Sequence, residues 1–135
     1  MEIEFPIEFL VAGTPVSTQS RSSRSRDAWK ERIRAASNQV IPRPHFASDE
    51  RLSVAIYYFP RRPMQGDIDN IVKPILDALS SHVFLDDRQV ERVVVQKFEP
   101  GHIFPFARPS EVLEMAIETT ALYVRSSNDP FEDLT

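Results

Sequence analysis

The 135-residue chain is 41% hydrophobic and 27% charged, with a formal net charge of −4, the balance of a globular, water-exposed domain. It has no cysteine, which excludes a disulfide framework, a thiolate metal site and a cysteine nucleophile. No apolar run approaches the roughly 20 residues that span a bilayer, and the N-terminus lacks the basic, apolar, small-residue order of a secretory signal; the expectation is one cytoplasmic domain with no membrane partner.

Residues 3–11 alternate as a strand, with Pro6 marking an edge position or a bulge. Gly13 and Pro15 end it and lead into a Ser- and Arg-rich stretch, Ser17 to Arg26, which has no hydrophobic anchor and is read as a mobile connection. From Asp27 to about Val40 the spacing of Ala28, Trp29, Ile33, Ala36 and Val40 predicts a helix capped by Ser25 or Asp27, stopped at Ile41-Pro42. Leu52 to Phe59 is apolar on both faces, as a strand inside a sheet would be. Residues 66–79 carry Ile68, Ile71, Val72, Ile75, Leu76 and Leu79 on the period of an amphipathic helix, with Asp69, Lys73 and Asp77 on the opposite face. A turn at Ser80 to Phe84 and the pair Asp86-Asp87 follow, then a strand rich in β-branched residues, Val90 to Phe98. Pro100 to Pro109 is irregular, with Phe104 and Phe106 open to two uses, a dimer contact or a wedge between bases. Glu111 to Thr119 alternates enough to be read as a strand, and 126–135 as an acidic tail beyond a domain spanning 1–125.

Charge is unevenly placed. Arg21, Arg24, Arg26, Lys30, Arg32, Arg34 and Arg43 make an early basic segment, and Arg61 and Arg62 stand directly before the acidic stretch. A basic rim around a carboxylate centre suits a metal-dependent enzyme that works on a phosphate backbone. Mg²⁺ takes oxygen ligands, and Asp67, Asp69 and one of Asp86 or Asp87 form a candidate set, because adjacent residues in extended chain point to opposite sides. Lys73 could place a second cation at a phosphate. Each residue also has a plainer use: an aspartate can cap a helix, and acids and a lysine four residues apart can simply pair. Pro74 removes a helical hydrogen bond and would leave the Asn70 carbonyl free. His45, His82 and His102 lack metal-ligand spacing, and Trp29 reads as core.

Taken together, Asp67-Ile68-Asp69-Asn70-Ile71-Val72-Lys73, then Asp77-Ala78-Leu79 and Leu85-Asp86-Asp87-Arg88-Gln89-Val90, resemble the signature of the RusA family of Holliday junction resolvases. The chain differs from members with a basic residue before the first aspartate, since Gly66 stands there. The resemblance implies an α+β fold: a single two-layer domain with a mixed β-sheet and two main helices, in the order β-α-β-α-β-β. It further implies a homodimer and Mg²⁺-dependent cleavage of branched DNA in recombination and repair, Mn²⁺ being an alternative ion. Mapped onto this sequence, Asp67, Asp69 and Asp87 would bind metal, with Asp86 a further candidate, and Lys73 would be needed for activity. Arg61, Arg62, Lys73, Arg21, Arg24 and Arg26 are the expected DNA contacts. Two other readings remain open: a non-catalytic branched-DNA-binding protein of the same fold, and a nuclease for flaps or other branched structures.

Overall fold

A computed structural model describes residues 1–102 and 104–132. Four strands, β1 (Ile7–Val11), β2 (Leu52–Tyr58), β3 (Val90–Lys97) and β4 (Leu122–Ser127), form one sheet in the order β1-β4-β2-β3. β4 lies antiparallel to both β1 and β2, with Val124 opposite Phe9 on one side and Ile56 on the other, while β2 and β3 run parallel. The sheet is therefore mixed and the fold α+β, as expected. β2 sits between two neighbours, and both its faces are covered, Val54 and Ile56 by the main core and Tyr57 by the cluster around Leu113, which is why its residues are apolar on both faces. β1 is an edge strand, where Pro6 is tolerated just before the ladder begins.

The first helix, α1, spans Ser23–Ser37 and begins earlier than its apolar stripe suggests. Its cap is Ser22, whose hydroxyl accepts the Ser25 N–H at 3.1 Å, and neither Ser25 nor Asp27. Serine and arginine are compatible with a first turn once a cap is in place, so Arg24 and Arg26 belong to the helix and not to a loop. The apolar stripe did identify what is buried, Trp29 and Ile33, although Val40 is exposed.

The larger correction concerns Glu111–Thr119, which is a helix, α3, and not a strand. Ser110 caps it by accepting the Leu113 N–H at 3.1 Å, and Glu111 and Glu114 in the first turn suit the positive end of the helix dipole. Leu113 and Ala116 are buried, three residues apart on one side. Thr120 ends the helix in the left-handed region at φ 52°. The fold thus has three helices instead of two, and a fourth strand follows that carries the chain two residues past the expected boundary at 125. Of the segment read as a tail, residues 133–135 lie outside the described residues.

The strands' alternation sends two sets of side chains to opposite faces. Ile7, Phe9, Val11, Val54, Ile56, Leu122 and Val124 join Trp29, Ile33, Ile75, Leu79 and Phe84 in the main core under α1 and α2 (Val72–Leu79). Tyr57, Phe59 and Tyr123 turn the other way and pack with Leu113 and Ala116 of α3. The segment joining the parallel strands β2 and β3 contains α2, and both ends of that crossover carry the acidic residues.

Candidate active site

Gly66, at φ +86°, turns the chain into Asp67, a conformation that a residue with a Cβ adopts only with strain. Asp67 itself is extended (φ −95°, ψ 144°) and precedes a 3₁₀ turn, Ile68–Ile71, which passes into α2 at Val72. Two tight turns thus replace the first part of the regular helix expected over 66–79. The apolar positions still behave as the period requires, with Ile71, Ile75 and Leu79 buried. The charged face does not. A 3₁₀ turn has about three residues per turn, so Asp69 and Lys73 are no longer stacked, and Lys73 pairs instead with Asp77 at 2.9 Å and Asp87 at 3.0 Å.

These two partners, Asp77 first and then Asp87, push the Lys73 ammonium well above its ordinary range and keep it charged. Asp77 is the expected i, i+4 neighbour. Asp87 comes from the far end of the crossover, so the lysine links the start of α2 to the entry of β3. Asp86 is engaged differently: its carboxylate accepts the Arg88 N–H at 2.9 Å, and Gln89 returns the bond to the Asp86 N–H at 2.9 Å, a reciprocal cap on the turn Asp87–Gln89. The Arg88 N–H, ahead of the arginine's charge, holds the Asp86 carboxyl below the usual range. Of the adjacent pair, Asp87 meets the lysine and Asp86 does structural work.

Asp67 and Asp69 are exposed, and neither side chain has a hydrogen bond or ion pair among the described residues. Asp67 makes no capping bond, so the plainer explanation for that residue fails. As donors the three aspartates suit a hard divalent cation, since each offers only carboxylate oxygen. The arrangement does not yet gather them: among the described residues no group of three or more His, Cys, Asp or Glu side chains is placed to hold a metal ion. Asp87 is engaged through Oδ2 by Lys73.

A contact that the sequence did not suggest fixes the other side of the site. The Thr18 N–H donates to the Asn70 carbonyl at 2.8 Å, and the Thr18 hydroxyl meets Asn70 Oδ1 at 3.1 Å. The carbonyl that Pro74 releases from the helix is therefore satisfied by the Ser-rich segment, which is docked and not loose at this point. The signal was present in Pro74, but its partner lies 52 residues away. Ser17 and Ser20 close a local turn beside it, and Arg26 donates to the Ser20 carbonyl.

The expected DNA contacts are dispersed around this frame. Arg21 and Arg24 are exposed. Arg61 is tied to the Thr120 hydroxyl at 3.0 Å, and Arg62 is exposed without a partner among the described residues. The loop that carries both is fastened by the Met64 N–H donating to Glu99 at 2.6 Å. Phe104 and Phe106 are not isolated: they meet each other at 4.6 Å between ring centroids and pack on Phe98 at 5.6 and 5.4 Å. His45 and His82 do meet, edge to face at 5.1 Å, although their spacing gave no hint of it.

A mixed α+β domain that exposes carboxylates beside a charged lysine, at the crossover between two parallel strands, is built as a hydrolase of phosphate esters would be. Residues 13–103 match the family described as endodeoxyribonuclease RusA, and the chain belongs to that family. Among curated proteins, none matches it. The matched residues include Asp67, Asp69, Lys73 and Asp87 and end before α3. Membership makes nuclease chemistry on DNA the class of activity. No helix among the described residues is long and apolar enough to cross a membrane.

Proposed function

We propose that the protein is a Mg²⁺-dependent endodeoxyribonuclease that resolves four-way DNA junctions by paired incisions in recombination and repair. The observation that carries this reading is the contrast within one short crossover: Asp67 and Asp69 are exposed without partners, while Lys73 reaches across to Asp87. Two exposed carboxylates without hydrogen-bond or ion-pair partners contribute little to the fold and are free to take a cation. Asp67, Asp69 and Asp87 are the proposed ligands, with Asp86 committed to its cap. A bound Mg²⁺ supplies an activated water and offsets charge on the phosphate. Lys73 holds a fixed positive charge at the same place, and a homodimer would present two such sites to a junction of approximate two-fold symmetry.

The deciding experiment compares cleavage of a four-way junction, a flap and a linear duplex, with and without Mg²⁺, by the wild type and Asp87→Asn. Junction cutting that needs Mg²⁺ and falls by at least about 100-fold in the variant is the expected result. Preference for the flap would move the substrate to other branched DNA. Metal-independent binding with no cutting would make the protein a DNA-binding module of the same fold.

The open loop with Arg61 and Arg62, together with Arg21 and Arg24, is proposed to contact DNA phosphates. Reversing both charges, Arg61→Glu with Arg62→Glu, is expected to weaken junction binding and to flatten log affinity against log salt by about one to two units. Binding with an unchanged salt slope would remove these residues from the interface.

A further inference from the structure

The sheet face opposite α2 holds a cavity of about 470 Å³ between α3 and the strands β2, β3 and β4. Three arginines, Arg92, Arg108 and Arg125, line it with two glutamates, Glu8 and Glu132. The two acids are placed differently. Glu8 is a fixed part of the wall, accepting the Ser110 hydroxyl at 2.9 Å and the Tyr123 hydroxyl at 2.6 Å. Glu132 comes from beyond β4, and its carboxylate takes the Arg125 guanidinium through both Nε and Nη2. Arg92 donates to the Glu132 backbone carbonyl, and Arg108 is exposed without a partner among the described residues.

The way the last segment reaches this cavity is informative. Asp129 accepts the Phe131 N–H through its side chain at 3.0 Å and the Glu132 N–H through its carbonyl at 3.2 Å, so the chain folds back on itself around Pro130. Among the described residues no apolar anchor holds it, because Phe131, the one large hydrophobic residue between Asn128 and Glu132, is 63% exposed. Polar contacts fasten the segment, the Arg92 bond to the Glu132 carbonyl among them, and its side-chain contact in the cavity is a carboxylate in the fork of Arg125, the same planar, two-bonded geometry with which arginine holds a phosphate.

We propose that this cavity is a phosphate-binding site for the DNA backbone, formed by Arg92, Arg108 and Arg125, and that Glu132 occupies it as an intramolecular substitute for the phosphate. DNA as the ligand rests on the nuclease reading above; the site itself rests on the geometry. Removing Glu132 changes the lining from three positive and two negative groups to three and one. Arg92 lies five residues beyond Asp87 in sequence, no more than about 18 Å along extended chain. That span covers about five base steps of a duplex, so one arm could meet both places around the free edge of β3. Arg108, Arg125 and Glu132 fall outside residues 13–103, the part that matches the family.

The test is equilibrium binding of a fluorescent four-way junction without divalent metal, over a range of salt, to the wild type, Glu132→Gln, Arg125→Gln and the double variant. Glu132→Gln is expected to bind about tenfold more tightly and to steepen the salt dependence by about one unit. Arg125→Gln alone should change little, because Glu132 already neutralises that arginine, and the double variant should lose the gain. Unchanged affinity in Glu132→Gln, or a gain that survives in the double variant, overturns the proposal. A parallel titration with pyrophosphate separates the ligands: a gain for pyrophosphate with none for DNA overturns DNA as the occupant. Junction cleavage with Mg²⁺ is scored separately. Absent cleavage with an Arg125-dependent gain in binding would sink the nuclease reading and leave the site standing, and cleavage without the gain would do the reverse.

Discussion

The two faces of the sheet are finished in different ways. Under α1 and α2 the packing is aliphatic and closed, with Ile33, Ile56, Ile75, Leu79 and Phe84 all at 0% exposure. Under α3 the packing is aromatic and partial: Tyr57 stacks on Tyr123 at 5.6 Å and Phe59 on Phe98 at 5.0 Å, and beyond them the face opens into the arginine-lined cavity. The closed face carries the crossover with Asp67, Asp69, Lys73 and Asp87, and that crossover lies within residues 13–103, which match the RusA family. A rigid aliphatic core gives the site a fixed support, whereas the open face leaves polar groups in contact with water, where an exchangeable carboxylate can sit.

Core truncation should sharpen this contrast most. Ile75→Ala removes a side chain at 0% exposure from the helix that bears Lys73, and is expected to destabilise the fold by about 2–5 kcal/mol. Leu113→Ala, on α3 at 7% exposure, should fall at the low end of that range, because a site near an open cavity can relax around the deletion. Denaturant midpoints measured at constant m-value would compare the two. Equal losses would mean that the faces are equally well packed.

A smaller effect is expected at the start of α3. Ser110 both caps the helix and donates to Glu8, so Ser110→Ala should lower stability by about 1 kcal/mol and leave Glu8 with Tyr123 as its remaining hydroxyl partner. Substitution by Asp would keep a capping acceptor while adding charge beside Glu8. A recovery of helix stability in Ser110→Asp without recovery of the whole loss would separate the cap from the cavity wall.

The closed face was the more legible one in sequence. Buried aliphatic residues at helical spacing identify α2 whatever its first turn does, and the apolar run Leu52 to Phe59 placed β2 within the sheet. The three acidic positions of the crossover stood out for a different reason, since residue types and spacing there resemble the signature of the family that residues 13–103 match. What failed was local. Ile68–Ile71 adopts a 3₁₀ turn that no composition signals, so Asp69 lost the pairing that a continuous helix would give it. Glu111–Thr119 satisfied two periods at once, with alternating Leu113, Met115 and Ile117 on one reading and Leu113 with Ala116 on the other. Helix C-termini are often marked by glycine in the left-handed position, and here Thr120 takes that conformation, so the usual punctuation was absent. The Thr18–Asn70 and Arg125–Glu132 contacts depend on how separate segments meet, which hydrophobic period does not encode.

The smallest predicted effect probes the closed face through pH. His82 lies in the turn after α2 and is partly buried against α1. Ser37 donates its hydroxyl hydrogen to the Arg34 carbonyl at 2.8 Å, so at 2.9 Å it accepts from His82 Nε2–H. Burial, and then the nearby charges of His45 and Arg34, lower the His82 pKa, against weaker opposing pulls from a hydrogen bond to the Arg34 backbone and from Glu31. A histidine whose folded pKa is depressed binds fewer protons folded than unfolded below about pH 6.5. Its contribution is therefore present above that value and is lost as pH falls from there through the folded pKa. The carboxylates with lowered values, Asp86, Glu91 and Glu99, act in a separate window at lower pH, below about 4.5. Thermal midpoints of the wild type should decline between about pH 6.5 and 5, ahead of the acid transition. In His82→Gln the first decline should disappear and the second remain. A first decline that persists in the variant would place its origin outside this turn, and would leave the closed face without the pH response that its partly buried imidazole implies.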